Sequence, residues 1–169
     1  MIYTHAACLQ HCPGPGHPES PDRLKAVLRA LDAPVFAAIP RVEAPLVDRA
    51  LIDRVHPGVE YAQIFAHAPR VQTLRLDSDT VLHPAADSLE AALRGAGAVV
   101  AAVDAVLDGH TRRAFCAVRP PGHHATPERA MGFCIFNNVA LGARRALDRG
   151  LERVAVLDFD VHHGNGTQD

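Results

Sequence analysis

Apolar positions recur at helical spacing in several stretches of the chain. Leu24, Val27, Leu28 and Leu31 follow Ser20-Pro21, which reads as an N-cap with proline at the first helical position. A second helix is predicted over Val59 to Ala66. The longest runs from about Ser88 to Leu107, with Asp87 or Ser88 as its cap and Gly109 just past its end. It is Ala-rich and apolar on nearly all sides, which predicts deep burial. A fourth helix is predicted from Asn138 to Arg149, ended by Gly150.

Two apolar runs have a different character. Ala114 to Val118 is short and is stopped by Pro120-Pro121-Gly122. Val154 to Asp160 is apolar at both parities, the pattern of a strand buried on both faces of a parallel sheet. Strand, helix and strand over about 45 residues make a βαβ unit, so the fold class is α/β. In such sheets ligands sit beyond the carboxyl ends of the strands. Both loops there are unusual in composition: Arg119 to Met131, and Val161 onward. Cys12-Pro13-Gly14-Pro15-Gly16-His17-Pro18 can only be a loop.

At 169 residues one domain is the natural reading, and 48% hydrophobic content is enough for a packed core. Lys plus Arg is 17 and Asp plus Glu is 19, a net charge of −2 that argues against a nucleic-acid footprint. No apolar run reaches the roughly 18–20 residues that span a bilayer. The first residues lack a charged and then apolar leader, so a cytoplasmic chain is expected. Cys8, Cys12, Cys116 and Cys134 then read as reduced thiols. With no Trp and 5% aromatics, the core must be built mostly from Ala, Val and Leu.

Eleven histidines are many for this length, and two of the loops concentrate chemistry. In an extended Asp158-Phe159-Asp160-Val161-His162 run, Asp158, Asp160 and His162 share one parity. Two carboxylates on one face of a buried strand persist only if compensated, and a divalent cation is the economical compensation. Asp oxygen and His nitrogen are both Zn²⁺ ligands. The alternative is a solvated acidic pair at a surface strand end. In the other loop, Pro120-Pro121-Gly122 presents His123 and His124, which suit acid–base work near neutrality. Tandem histidines alone would be polar surface; their pairing with the Asp-rich strand end favours chemistry, with Asp158 and Asn165 available to orient them. His5, Cys8, His11 and Cys12 suggest a small zinc site, but their spacing matches no standard finger. Cys116 reads as inert core, and His56, His67, His83 and His110 as isolated surface or loop residues.

Taken together, these segments resemble the histone deacetylase family of metal-dependent amidohydrolases, which includes bacterial acetylpolyamine deacetylases and acetoin-utilisation proteins. The carriers are His17-Pro18-Glu19 with Pro21 and Arg23, Asp79-Thr80, Pro120-Pro121-Gly122-His123-His124-Ala125, Met131 to Asn138, and Leu157 to Thr167. Asn165 and the Pro-Pro-Gly-His-His wording resemble the class II and bacterial branch, since class I enzymes typically carry Asp at the Asn165 position. The resemblance implies a three-layer arginase/deacetylase-like α/β fold with a parallel sheet flanked by helices. It implies Asp160 and His162 as ligands of Zn²⁺ or Fe²⁺, Asp158 bonded to His123, and Asn165 orienting His124. His124 is then the general base and later the acid, with His123 an electrostatic helper. Gly132 would offer its carbonyl to the substrate amide, Phe133 would wall an acyl-lysine-type tunnel, and Cys134 would lie near its floor. Asp79 resembles the rim carboxylate, and the backbone carbonyls of Asp158, Asp160 and His162 resemble those around a structural K⁺.

The implied reaction is removal of an acetyl or other acyl group from an acyl-lysine or acyl-polyamine, with no direct nucleic-acid or membrane partner and with oligomerisation left open. The family pattern also has a third metal ligand, an Asp, and a transition-state donor, Tyr or His, both downstream of Asp169. The expectation is therefore that residues 1–169 are the N-terminal part of a single deacetylase domain, incomplete at its C-terminus and not by themselves a competent catalyst. The alternative is a non-catalytic remnant or binding module of the same fold.

Overall fold

The computed structural model describes residues 1–66, 72–83 and 87–169. Strand β1 (Ile2–Thr4) lies between β2 (Arg41–Glu43) and β5 (Phe115–Cys116) in a parallel sheet of order β2-β1-β5. Ile2 is in register with Arg41 on one side and Phe115 on the other. A two-stranded antiparallel ribbon, β3 (Leu74–Arg75) with β4 (Val81–Leu82), sits apart from it.

The period-two alternation of a strand sends successive side chains of β1 to opposite faces. Ile2 joins Cys8, Leu24 and Ala117 under α2 (Pro21–Leu31) and α1 (Ala7–Gln10). Tyr3 joins Ala44, Ala98, Ala102 and Ala105 under α5 (Ser88–Leu107). Helices thus cover both faces, giving three layers. The largest core cluster lies where α3 (Arg49–Val55), α4 (Val59–Ala66), α5 and α6 (Asn138–Asp148) converge on Ile52, Tyr61, Ile64, Phe136 and Leu141. A short α7 (Asn165–Gln168) completes the described helices of α type.

The predicted helices fall where the periodicity places them, and α4 and α5 have the predicted bounds. The capping is less literal. Ser20 occupies the N-cap of α2 and Asp87 that of α5, but neither side chain bonds the helix. Asn137 does cap α6, accepting from the Ala140 amide. All four cysteines are free thiols.

One element departs from expectation. Val154 to Asp160 joins no ladder and is exposed throughout: Leu157 is 89% and Phe159 93% accessible. Val156, Leu157 and Phe159 instead line an open cleft with Cys116, Val118 and Val139. The apolar pattern registers what the segment needs on its faces; the described residues do not supply it. His56 also departs: it is buried, not at the surface. His110 is exposed, and His67 lies outside the described residues.

Candidate active site

The loop after β5 is anchored by a buried ion pair. Arg119 Nε and Nη2 donate to the two Glu19 carboxylate oxygens at 2.7 and 2.6 Å, and Nη1 donates to the carbonyls of Cys8 and His11. His11 Nε2 lies 3.3 Å from the same carboxylate. Burial alone would raise the Glu19 pKa; the His11 and Arg119 contacts outweigh it and hold the carboxyl below its usual range. His11 is thereby accounted for by Glu19 and by Ser88, whose Oγ is 2.8 Å from Nδ1, and among the described residues no group of three His, Cys, Asp or Glu is placed to hold an ion.

That anchor leads to Pro120-Pro121-Gly122 and then to two histidines whose rings lie 4.1 Å apart. Each has its own partner. His123 Nδ1 is 2.9 Å from Asp158 Oδ2, and His124 Nδ1 is 2.7 Å from Asn165 Oδ1. The Asn165 amide nitrogen donates back to the His124 carbonyl, which fixes Oδ1 as the acceptor. His124 therefore carries its proton on Nδ1 in the neutral ring and leaves Nε2 bare, the form a base needs. Asp158 accepts from His123, and that bond leads the causes that hold its carboxyl below the ordinary range.

Asp160 and His162 stand beside these pairs. Asp160 Oδ1 accepts the His162 amide at 2.8 Å and lies 3.0 Å from His162 Nδ1; the amide bond leads the causes that depress its pKa. His162 and His124 rings are 6.0 Å apart, edge to face. Asp79, His123, His124, Phe133, Asp160 and His162 all line one cavity of about 590 Å³.

The far wall is a strained turn. Gly132 has φ 57°, and a Cβ there would fall 2.6 Å from the His124 ring, so glycine alone lets the turn lie on the imidazole. Phe133 also has a positive φ, 69°, unusual for a bulky residue. Outside bonds hold it: Gly132 N donates to Asp77 Oδ2 and Phe133 N to Thr80 Oγ1, at 3.0 and 2.8 Å. His17 meets the Phe133 ring edge-on at 4.8 Å. Cys134 is buried, with its thiol pushed up to about 12 by burial, and its Sγ accepts weakly from the His124 amide at 3.5 Å. Asp79 is exposed at the rim, its carbonyl 3.1 Å from His17 Nε2.

The structure therefore brings Asp79, His123, His124, Gly132, Phe133, Cys134, Asp158, Asp160, His162 and Asn165 to one place. Sequence reasoning missed Asp77, Thr80, His56 and Asn137 as supports. The Asp77-Ser78-Asp79-Thr80 run is a turn-former next to the rim carboxylate, and that signal could have found the first two.

The family model of the histone deacetylase domain matches residues 17–169. The chain belongs to the histone deacetylase family. It is 40% identical to a histone deacetylase-like amidohydrolase of Pseudomonas aeruginosa, over 95% of this chain and 47% of that protein. A probable deacetylase of Methanothermobacter thermautotrophicus is 41% identical over 99% of this chain and 49% of its own length. The crystal structure of the HDA15 HD domain superposes with a TM-score of 0.90 at 32% identity, covering 99% of this chain and 48% of that one. The family member described here thus spans about half the length of these relatives, and it has their deacetylase-like α/β fold. No described helix is long and apolar enough to cross a membrane.

Proposed function

We propose that this chain carries the acid–base half of a metal-dependent amidohydrolase site that removes an acyl group, acetyl above all, from an acyl-lysine or acyl-polyamine in the cytoplasm. The observation that carries the reading is the pair of independently oriented histidines, His123 on Asp158 and His124 on Asn165, converging on one cavity with Asp160 and His162. Histidine pairs on a surface have no need of two separate orienting groups.

His124 Nε2 is free to take a proton from an attacking water and to return it to the departing amine nitrogen. His123, oriented by the Asp158 carboxylate, helps to stabilise negative charge developing beside it. The Gly132 carbonyl, met among the described residues only by the weak Cys134 thiol at 3.4 Å, is open to a substrate amide N–H. Phe133 would wall an acyl-lysine-type tunnel, Cys134 would lie near its floor, and Asp79 at the rim would hold the substrate backbone or amine.

Asp160 and His162 have the donor chemistry and the proximity to share an ion, Zn²⁺ or Fe²⁺, with a third ligand coming from outside the described set. Such an ion, when bound, polarises the acyl carbonyl and acidifies water. The backbone carbonyls of Asp158, Asp160 and His162 are the candidates for a structural K⁺. The two-donor count favours one rival reading, a module that binds acylated ligands without turning them over.

The deciding experiment presents acetylated lysine peptides and acetylpolyamines to the protein expressed from its complete gene, with metal content measured alongside. His124→Ala should lower kcat by about 10²–10⁴-fold with metal retained. Asp160→Ala should lose the metal. Undiminished turnover in the first variant would overturn the base assignment. Ligand binding by a metal-loaded wild type without any turnover would establish the rival.

A further inference from the structure

Behind the two histidines lies a second layer of buried polar residues that the proposed chemistry does not use. Asn137 is fully buried, and every one of its polar groups is engaged. Its Oδ1 accepts the Ala140 amide at 3.0 Å and so caps α6. Its Nδ2 donates to the Ala125 carbonyl at 3.3 Å and to Thr167 Oγ1 at 3.2 Å. Its backbone N–H donates to His56 Nε2 at 2.9 Å.

The two Nδ2 acceptors belong to different loops. Ala125 directly follows His124, and Thr167 stands two residues beyond Asn165 on α7. The Thr167 amide also donates to the His123 carbonyl at 3.2 Å. One amide group therefore clamps the loop bearing the base to the loop bearing its orienter. His56 seats the clamp: its Nδ1–H donates to the Thr126 carbonyl at 2.9 Å, where Tyr61 Oη also donates at 2.8 Å. With Nδ1 donating and Nε2 accepting, both ring nitrogens of His56 are committed, and its burial removes any reason to treat it as surface.

We propose that Asn137, seated by His56, is a positioning residue that holds the His124 imidazole in line with Asn165, and that it does so through its side-chain amide donors and not through its helix cap. The proposal rests on the deacylase reading for its kinetic arm only. The geometry it describes, His124 Nδ1 against Asn165 Oδ1, exists in the 169-residue chain itself.

Cap and clamp can be separated because they use different atoms of one side chain. Asn137→Asp keeps an oxygen for the Ala140 amide and keeps the volume, but it sets a second oxygen against the Ala125 carbonyl. Asn137→Ser also caps well but is too short to bridge both loops. The imidazole ¹H–¹⁵N resonances of His124, recorded on this chain, should show a protonated Nδ1 in the wild type. They should move toward exchange-broadened or mixed-tautomer values in both variants. On the protein from the complete gene, kcat should fall at least about 10-fold with KM within about twofold, the signature of a misplaced base.

Wild-type kcat together with unmoved His124 resonances in Asn137→Asp would overturn the proposal. So would loss of the folded state in both variants, since both keep the cap and the result would assign Asn137 to stability. A wild type that hydrolyses no acylated amine would sink the deacylase reading, while the imidazole resonances would still decide the role of Asn137.

Discussion

His56 is 2% exposed, and burial drives its pKa down to about 4, against a weaker upward pull from the Thr126 carbonyl. A proton on Nε2 would face the Asn137 N–H, so the folded state refuses what the unfolded chain accepts below its own value near 6.5. The unfolded state then binds more protons between pH 6.5 and 4. Stability is full above that window and falls as the pH drops through it, by about 3 kcal/mol at most. Urea unfolding of the wild type and His56→Gln at a series of pH values should show the extra acid slope only in the wild type; parallel slopes would refute it. A second residue-scale case is Arg119. It and Glu19 are both 4% exposed, so Arg119→Met would strand a buried carboxylate and should cost about 3–5 kcal/mol by denaturation. Adding Glu19→Gln should restore part of the loss, because the two residues act as one unit. Neither partner's role could be read from its neighbours in sequence: residues 19 and 119 meet only through the tertiary fold.

The elements were the legible part of this chain. Helix α5 was readable because alanine at nearly every turn leaves almost no polar face and Gly109, at φ 76°, lies just past its end, although Asp87 makes no capping bond. What composition could not show is why it contains two glycines with a single residue between them. Gly97 carries a close approach: a Cβ there would fall 2.0 Å from the Pro45 carbonyl oxygen. Gly95 has nothing nearer than 3.6 Å. Glycine costs a helix interior about 1 kcal/mol relative to alanine. Gly95→Ala should therefore be neutral or stabilising by up to about 1 kcal/mol. Gly97→Ala should destabilise by up to about 2 kcal/mol, the overpacking strain of about 1–3 kcal/mol exceeding the propensity gain of about 1 kcal/mol. Thermal melts of the two variants make the comparison, and equal shifts would mean that the α5–Pro45 contact is looser than seen. The site's outline was legible for the same local reason: Asp158, Asp160 and His162 sit on one short segment, and His123 and His124 are adjacent. Its supports were harder to read, because His56, the turn that holds Asp77 and Thr80, and Asn137 reach it from three separate places in the chain.

At the scale of the whole molecule, the segment bearing half the site is the least secured. Tyr61, Phe136, Ile52 and Leu141 lock α3, α4, α5 and α6 into one core, whereas Val154 to Val161 packs into none of the three core clusters. Apolar residues at both parities predict a strand buried on both faces, whereas the segment forms no strand and is exposed, because a pattern states a demand for burial and not who meets it. Relatives about twice as long have further chain with which to meet it. Within the described residues, the side-chain contact nearest to a tether is the His123–Asp158 bond, reinforced by turns in which Asp158 and Asp160 accept the amides two residues on. Side chains of Leu157, Phe159 and Val161, each about nine-tenths exposed, contribute little to holding this chain folded. Phe159→Ser should thus change the unfolding free energy by less than about 0.5 kcal/mol, the usual range for a surface site. Leu141→Ala, in the core, should cost about 2–5 kcal/mol. Native-state hydrogen exchange should give the same division, with amides of residues 153–159 exchanging far faster than those in the middle of α5. A cost of 2 kcal/mol or more for Phe159→Ser, or protection of 153–159 comparable with α5, would show that the segment is a packed strand in solution and that Asp158, Asp160 and His162 are held by the sheet instead of by their own turns.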